Sequence, residues 1–408
     1  MNNSLIDKII IFLLSIILII DSFNGFLLLN KFNTGISLSQ LVKFPLLYFM
    51  MFRIYILNKK YFLHVLGISM ILVLAVFVNY VDEVNVSLLK EFTLILKLLV
   101  IPICVYYFVS LKEINYDFYY KSIIKIFKIS FIVLAGNIFL SVIGVGYSSY
   151  SGGIGNKGFF YAGNELSAMY LIISSFLLQY TFKKLSIKHY MLLSVIALII
   201  GVSISTKVSM FSIFLIIILI PLISVKIKIN ATFILKAVFF VLGIVLISAL
   251  LYDNVVNSRV FDRWVYFFKV YNYDYTSIIL SGRNKTLIES FNMNEVFYKP
   301  INLFFGYSYT GFLDNMQQST FYKVKANEMD FFDIYFIYGV FGLLSVLSIW
   351  FVSTVQFIIS EKKNWVLLIT VFLILVISFL SGHVLSSGLS GPFIGIYLSL
   401  MFSKKEFF

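Results

Sequence analysis

The residues able to do chemistry in this chain lie in short segments far apart in sequence. Ser281-Gly282-Arg283 precedes a short helix expected over Asn284 to Met293, with Ser281 as its N-cap. A cation in a first turn opposes the helix dipole, so Arg283 is not placed to stabilise the helix; it is either a solvated loop residue or the partner of an anion. Backbone N–H groups and a guanidinium together make a phosphate site. Arg259 and Arg263 lie one turn apart on an amphipathic helix expected over Asn257 to Tyr271. Lys157 sits in a glycine-rich stretch that runs into the polar pair Asn164-Glu165, and Lys207 follows Ser205-Thr206. Glu328, Asp330 and Asp333 cluster, with Asp330 and Asp333 three apart on one helix face. A carboxylate partly withdrawn from water keeps a proton more readily, which suits a general base. Helix capping accounts for Asp330 equally well. His383 follows Ser381-Gly382, and a single histidine is more often a hydrogen-bonded structural residue.

The elements that must position these groups follow from composition. The chain has 408 residues, 60% hydrophobic and 12% charged. A soluble chain carries about 25% charged residues, so a globular aqueous enzyme and a disordered chain are both excluded. Cys104 is the one cysteine, and His64, His189 and His383 lack metal-ligand spacing. Neither an internal disulfide nor a metal cluster is expected, and no cofactor is implied. The net charge of +13 reflects lysines gathered in loops by membrane insertion, so nucleic acid is not an expected partner.

A span needs about 20 mostly apolar residues to cross roughly 30 Å of hydrocarbon. Twelve such runs occur, near 9–29, 36–57, 61–81, 86–110, 122–146, 160–182, 188–206, 208–225, 233–252, 331–358, 364–381 and 383–402. The first lacks a small-residue cleavage site and reads as a retained span. The fold expected is an all-α polytopic integral membrane protein of about twelve transmembrane helices with one large, partly helical periplasmic loop. Helices one to nine occupy 1–252, the loop 253–329, and helices ten to twelve 330–408. Short loops on the side of the N-terminus carry fourteen lysines, among them Lys59, Lys60, Lys183 and Lys188. The opposite side carries three, Lys31, Lys157 and Lys207. Both termini are therefore expected in the cytoplasm.

The 77-residue connection at 253–329 is too long for a structureless loop, so it is expected to fold and to function. The charge-derived topology places Lys157, Asn164, Glu165, Lys207, Arg283, Asp330, Asp333 and His383 on its side of the membrane. The basic residues within spans include Lys43, Arg53, Lys90 and Lys97; Lys90 and Lys97 share a face, Lys97 is deep enough that snorkelling is strained, and the two would suit the pyrophosphate of a lipid. Snorkelling suffices for Arg53, Lys125 and Lys128.

Gly-Phe-Phe-x-x-Gly-Asn-Glu165, Ser-Thr-Lys207 (the turn after span seven), Ser-Gly-Arg283 and Glu-x-Asp-x-x-Asp333 followed by Tyr-Gly-Val-Phe-Gly342 are set among these spans. Together they resemble bacterial O-antigen polymerases of the Wzy type, within a superfamily that includes the O-antigen ligases. Related proteins commonly carry Arg where this chain has Lys207, which removes the planar fork at that point. The resemblance implies a metal-independent glycosyltransferase in the bacterial inner membrane. It would join undecaprenyl-diphosphate-linked repeat units at the periplasmic face, in contact with membrane lipid and a chain-length regulator protein. Arg283 would stabilise the leaving diphosphate, helped by Lys207, Arg259 or Arg263, and Glu165, Asp330 or His383 would take the acceptor proton. Lys157, Asn164 and Asp333 would contact substrate. The alternatives are an O-antigen ligase using the same donor, and a lipid-linked oligosaccharide flippase, which would not need a folded outer loop.

Overall fold

The computed structural model describes residues 5–32, 37–81, 87–149, 155–160, 163–224, 268–320, 326–361 and 363–402. Helices α1 (Leu5–Leu29), α2 (Leu38–Leu57), α3 (Lys59–Val81), α4 (Leu88–Ile114) and α5 (Tyr116–Val142) lead to a small antiparallel hairpin, β1 (Tyr147–Ser148) and β2 (Asn156–Gly158). Then come α6 (Gly163–Lys184), α7 (Ile187–Ile204) and α8 (Lys207–Ser224). Four shorter helices follow, α9 (Tyr275–Leu280), α10 (Arg283–Val296), α11 (Pro300–Phe305) and α12 (Tyr309–Thr320). The chain continues with α13 (Asp330–Ile359), α14 (Trp365–Ser381) and α15 (Gly391–Ser399), which ends in a 3-10 turn, Leu400–Phe402.

Among the described residues, eight helices are long and apolar enough to cross a membrane: α1 to α5, α7, α8 and α13. Their outward faces expose Phe12, Leu63, Phe77, Ile132, Phe211 and Phe351, side chains that water would penalise and lipid would not. Polar caps set where the runs stop. Ser37 and Gln40 form a capping box at the start of α2, and Asn115 both ends α4 and caps α5 through Phe118 N. This is an all-α membrane protein.

Three helices, α4, α6 and α15, form the inside of the bundle among the described residues. α4 is buried continuously from Leu98 to Leu111, and α6 from Leu166 to Gln179. α15 packs on α4 through Gly391 and Gly395, four apart. A Cβ on Gly395 would lie 2.4 Å from that of Cys104, so only glycine permits the approach.

Residues 268–320, between α8 and α13, are folded, and they are tied into the bundle at a break in α13. Gly339 leaves the helical region (φ 68°, ψ −170°), which frees carbonyls one turn earlier. The N–H groups of Tyr307 and Ser308 fill them, donating to Phe336 O at 2.8 Å and Ile337 O at 3.0 Å. A second tie is Glu91, fully buried in α4, whose Oε1 accepts Thr310 N at 3.0 Å and Thr310 Oγ1 at 3.1 Å.

Several expectations change. The run at 383–402 is not one helix: residues 382–390 are irregular and the helix starts at Gly391. Apolarity alone counted that segment as a span, but its glycines and serines favour local turns, and Asp330 binds its backbone. Nor is Ser281 the N-cap of α10. It ends α9 in a left-handed conformation (φ 57°), and Gly282 (φ 80°) caps α10 with Arg283 as its first residue. Arg53 does not simply snorkel: its guanidinium pairs with Asp7 at 2.7 Å, with 14% and 2% of the two side chains exposed. The span at 233–252, Arg259 and Arg263 lie outside the described residues, as does most of the helix expected over Asn257 to Tyr271, of which 268–270 are helical.

Candidate functional site

The irregular segment 382–390 is held from both sides by carboxylates. Asp330, the first residue of α13, accepts His383 N and Val384 N at 2.7 Å each and Leu385 N at 2.9 Å. It also accepts Ser378 Oγ at 2.9 Å and Ser386 Oγ at 3.4 Å. Glu165, in the first turn of α6, accepts Ser387 Oγ at 2.5 Å, and that serine oxygen in turn accepts Leu389 N and Ser390 N. Beside it, Asn164 donates to Ser381 O at 2.8 Å. Irregular backbone leaves N–H groups without intrahelical partners, and these carboxylates and the serine fill five of them, while His383, Ser386, Gly388 and Leu389 line the cavity beside the segment.

The cavity has two chambers. The wider, about 680 Å³, gathers Lys90 and Lys97 of α4, Glu165, Asp333, Tyr309 and His383. Leu41, Pro45 and Leu89 form an apolar lip, with Leu41 56% and Leu89 77% exposed. The narrower, about 340 Å³, is lined by Asp21, Asn24, Ser39, Lys43 and Phe159 among others. Gln40, Phe44, Lys97 and Glu165 border both chambers.

Lys90 and Lys97 are two turns apart on one face of α4, and Lys97 stands about 14 Å along that helix from its start. Among the described residues the ion pairs are Lys43–Asp21, Arg53–Asp7 and Arg283–Glu328, so neither Lys90 nor Lys97 has a carboxylate within 4 Å. The carboxylates of the wider chamber differ in how occupied they are. Asp333 accepts Asn327 N at 2.9 Å and Met329 N at 3.2 Å, closing the turn before α13. Glu165 receives its one hydrogen bond among the described residues on Oε2, which leaves Oε1 toward the cavity. Burial, with the carboxylates of Asp333 and Glu91 nearby, pushes the Tyr309 phenol above its ordinary range, so it stays a donor.

The cavity thus brings together Glu165, Asp333 and His383, with Asn164 and Asp330 gripping the segment that forms its wall. Three other expected residues lie elsewhere. The Arg283 guanidinium pairs with Glu328 at 3.1 Å and lines neither chamber, and its Nε is buried with no hydrogen-bond partner. Lys207 reaches the carbonyls of Ile278 and Ile279, where it closes the end of α9. Lys157 lies over the Tyr147 ring at 5.6 Å, and burial pushes its ammonium below the usual lysine range. Gln40, Tyr309 and Asp21, the partner of Lys43, were not singled out from sequence. A span-embedded Asp21 was the available signal, because a carboxylate at that depth needs a partner.

No family model, curated protein or solved structure matches this chain.

Proposed function

We propose that the chain is a membrane glycosyltransferase of the O-antigen polymerase kind, joining undecaprenyl-diphosphate-linked repeat units into polysaccharide on the side of the large connection. The observation that carries this reading is the placement of Lys90 and Lys97, without carboxylate partners among the described residues, in a cavity that also holds Glu165 and His383. Cations kept unpaired at membrane depth are costly, and a lipid-borne diphosphate repays that cost. The exposed lip of Leu41, Pro45 and Leu89 suits the first isoprene units of its tail.

In this mechanism the acceptor hydroxyl oxygen attacks C1 of the donor sugar. The bond from C1 to the diphosphate oxygen breaks, and its electron pair leaves on the diphosphate held by Lys90 and Lys97. The hydroxyl proton passes to Glu165 Oε1. Asp330 is poorly placed for that role, since both its oxygens are taken by donors of the 378–386 segment.

The test is the lipopolysaccharide of a host strain lacking the gene. A polymerase leaves core carrying a single repeat unit, restored to a ladder by the wild-type gene and not by Lys97→Ala. Bare core with long polymer still on its lipid carrier would make the chain a ligase. Repeat units trapped on the cytoplasmic side would make it a flippase.

A further inference from the structure

The two chambers differ in what they can hydrogen-bond. In the narrower one, Asp21 accepts Lys43 Nζ at 2.6 and 2.8 Å and Ser39 Oγ at 2.6 Å, so its cation and anion satisfy each other. Asn24 contributes an amide, Gln40 its amide N–H groups and Asp21 its free lone pairs between Phe44 and Phe159, with Lys97 and Glu165 at the border with the wider chamber. Away from that border, such a wall is suited to a ligand rich in hydroxyls with an apolar face.

We propose that this narrower chamber is a glycan-binding subsite, taking the terminal sugar of the acceptor repeat unit and presenting its hydroxyl to Glu165. The inference rests on the glycosyltransferase reading above for the identity of the sugar, and on the geometry for its place. Sugar hydroxyls both donate and accept, which matches a carboxylate, two amides and a serine better than a diphosphate does. The volume of about 340 Å³ is within the roughly 300–1,000 Å³ of small-ligand pockets. Gly388 forms an open part of the wall: a Cβ there would meet only Lys43 Nζ, at 4.0 Å. Glu165 and Lys97 border both chambers, so a sugar in the narrower one lies next to the base and to the cation of the wider one.

The test uses full-length protein in lipid nanodiscs and two separate probes. One is the repeat-unit oligosaccharide of the host's own surface polysaccharide, freed from lipid by mild acid. The other is farnesyl diphosphate, which has the diphosphate and no sugar. Gly388→Leu, which fills the narrower chamber, and Asn24→Ala, which removes one amide, should each weaken the oligosaccharide at least tenfold. Farnesyl diphosphate should stay within twofold, which also shows that the variants are folded. Lys90→Ala should do the reverse. Oligosaccharide affinity unchanged in both narrower-chamber variants, or no oligosaccharide binding to the wild type, overturns the subsite. The two readings fail separately. A deletion strain with a full polysaccharide ladder removes the transferase while leaving a measured glycan site in place. A strain rescued fully by Gly388→Leu, with oligosaccharide affinity intact, removes the subsite and leaves the transferase.

Discussion

Asp330 accepts the backbone N–H of His383 at 2.7 Å, fixing a histidine in the left-handed region (φ 57°) at the wall of the wider chamber. A non-glycine residue in that region is held only where its surroundings dictate it, and Asp330 supplies that constraint from 53 residues away. Asp330→Asn turns one acceptor into a donor facing N–H groups. It should cost on the order of 3 kcal/mol, since hydrogen bonds to a charged acceptor are worth about 1.5–3 kcal/mol each. Thermal unfolding in detergent measures this, and an unchanged midpoint would mean that the carboxylate does not organise the segment.

Lys97→Ala should reduce glycan extension roughly 100-fold at matched membrane levels, the scale of losing one positioned charge at a developing anion. Lys97→Arg should recover part of it. Arg283→Ala should do less, because its guanidinium is held by Glu328 and lines neither chamber. The polymer ladder of each variant decides the order. A normal ladder from Lys97→Ala alongside none from Arg283→Ala would move the leaving-group cation to Arg283.

Gly306 and Gly339 are mutually dependent. A Cβ on Gly339 would lie 2.2 Å from the Phe304 carbonyl carbon, one on Gly306 would lie 2.4 Å from that of Ile337, and both residues have φ 68°. Alanine at either position should cost about 3 kcal/mol or more through overlap and backbone strain. Limited proteolysis at 268–320 should accelerate in each variant as α11 and α12 detach from α13. Wild-type cleavage rates in both would show that the contact does not hold the connection.

The lysine distribution predicts which ends of the helices face the cytoplasm. Reporter fusions after Lys60 and Lys188 should signal cytoplasm, and one at Asn315, in α12, should signal the opposite compartment. A cytoplasmic signal at Asn315 would place the whole cavity on the wrong side for a donor presented outside.

Sequence alone determined that this is a helical membrane protein. The apolar runs of α1 to α5, α7, α8 and α13 are long enough that no aqueous fold could bury them. It also singled out Glu165, Asp333 and His383, because ionisable groups beside apolar runs are costly enough to stand out one by one. Only the tertiary structure decided which of them share a space. Lys97 meets Glu165 across a chamber, Lys207 turns instead to the carbonyls of α9, and Asp330 spends its oxygens on the 382–390 backbone. The break in α13 at Gly339 was likewise invisible locally, since a lone glycine in an apolar run reads as an ordinary small residue. Hydrophobic period reports how one segment meets its surroundings, whereas a carboxylate's partner is chosen among residues tens to hundreds of positions away by how the helices pack.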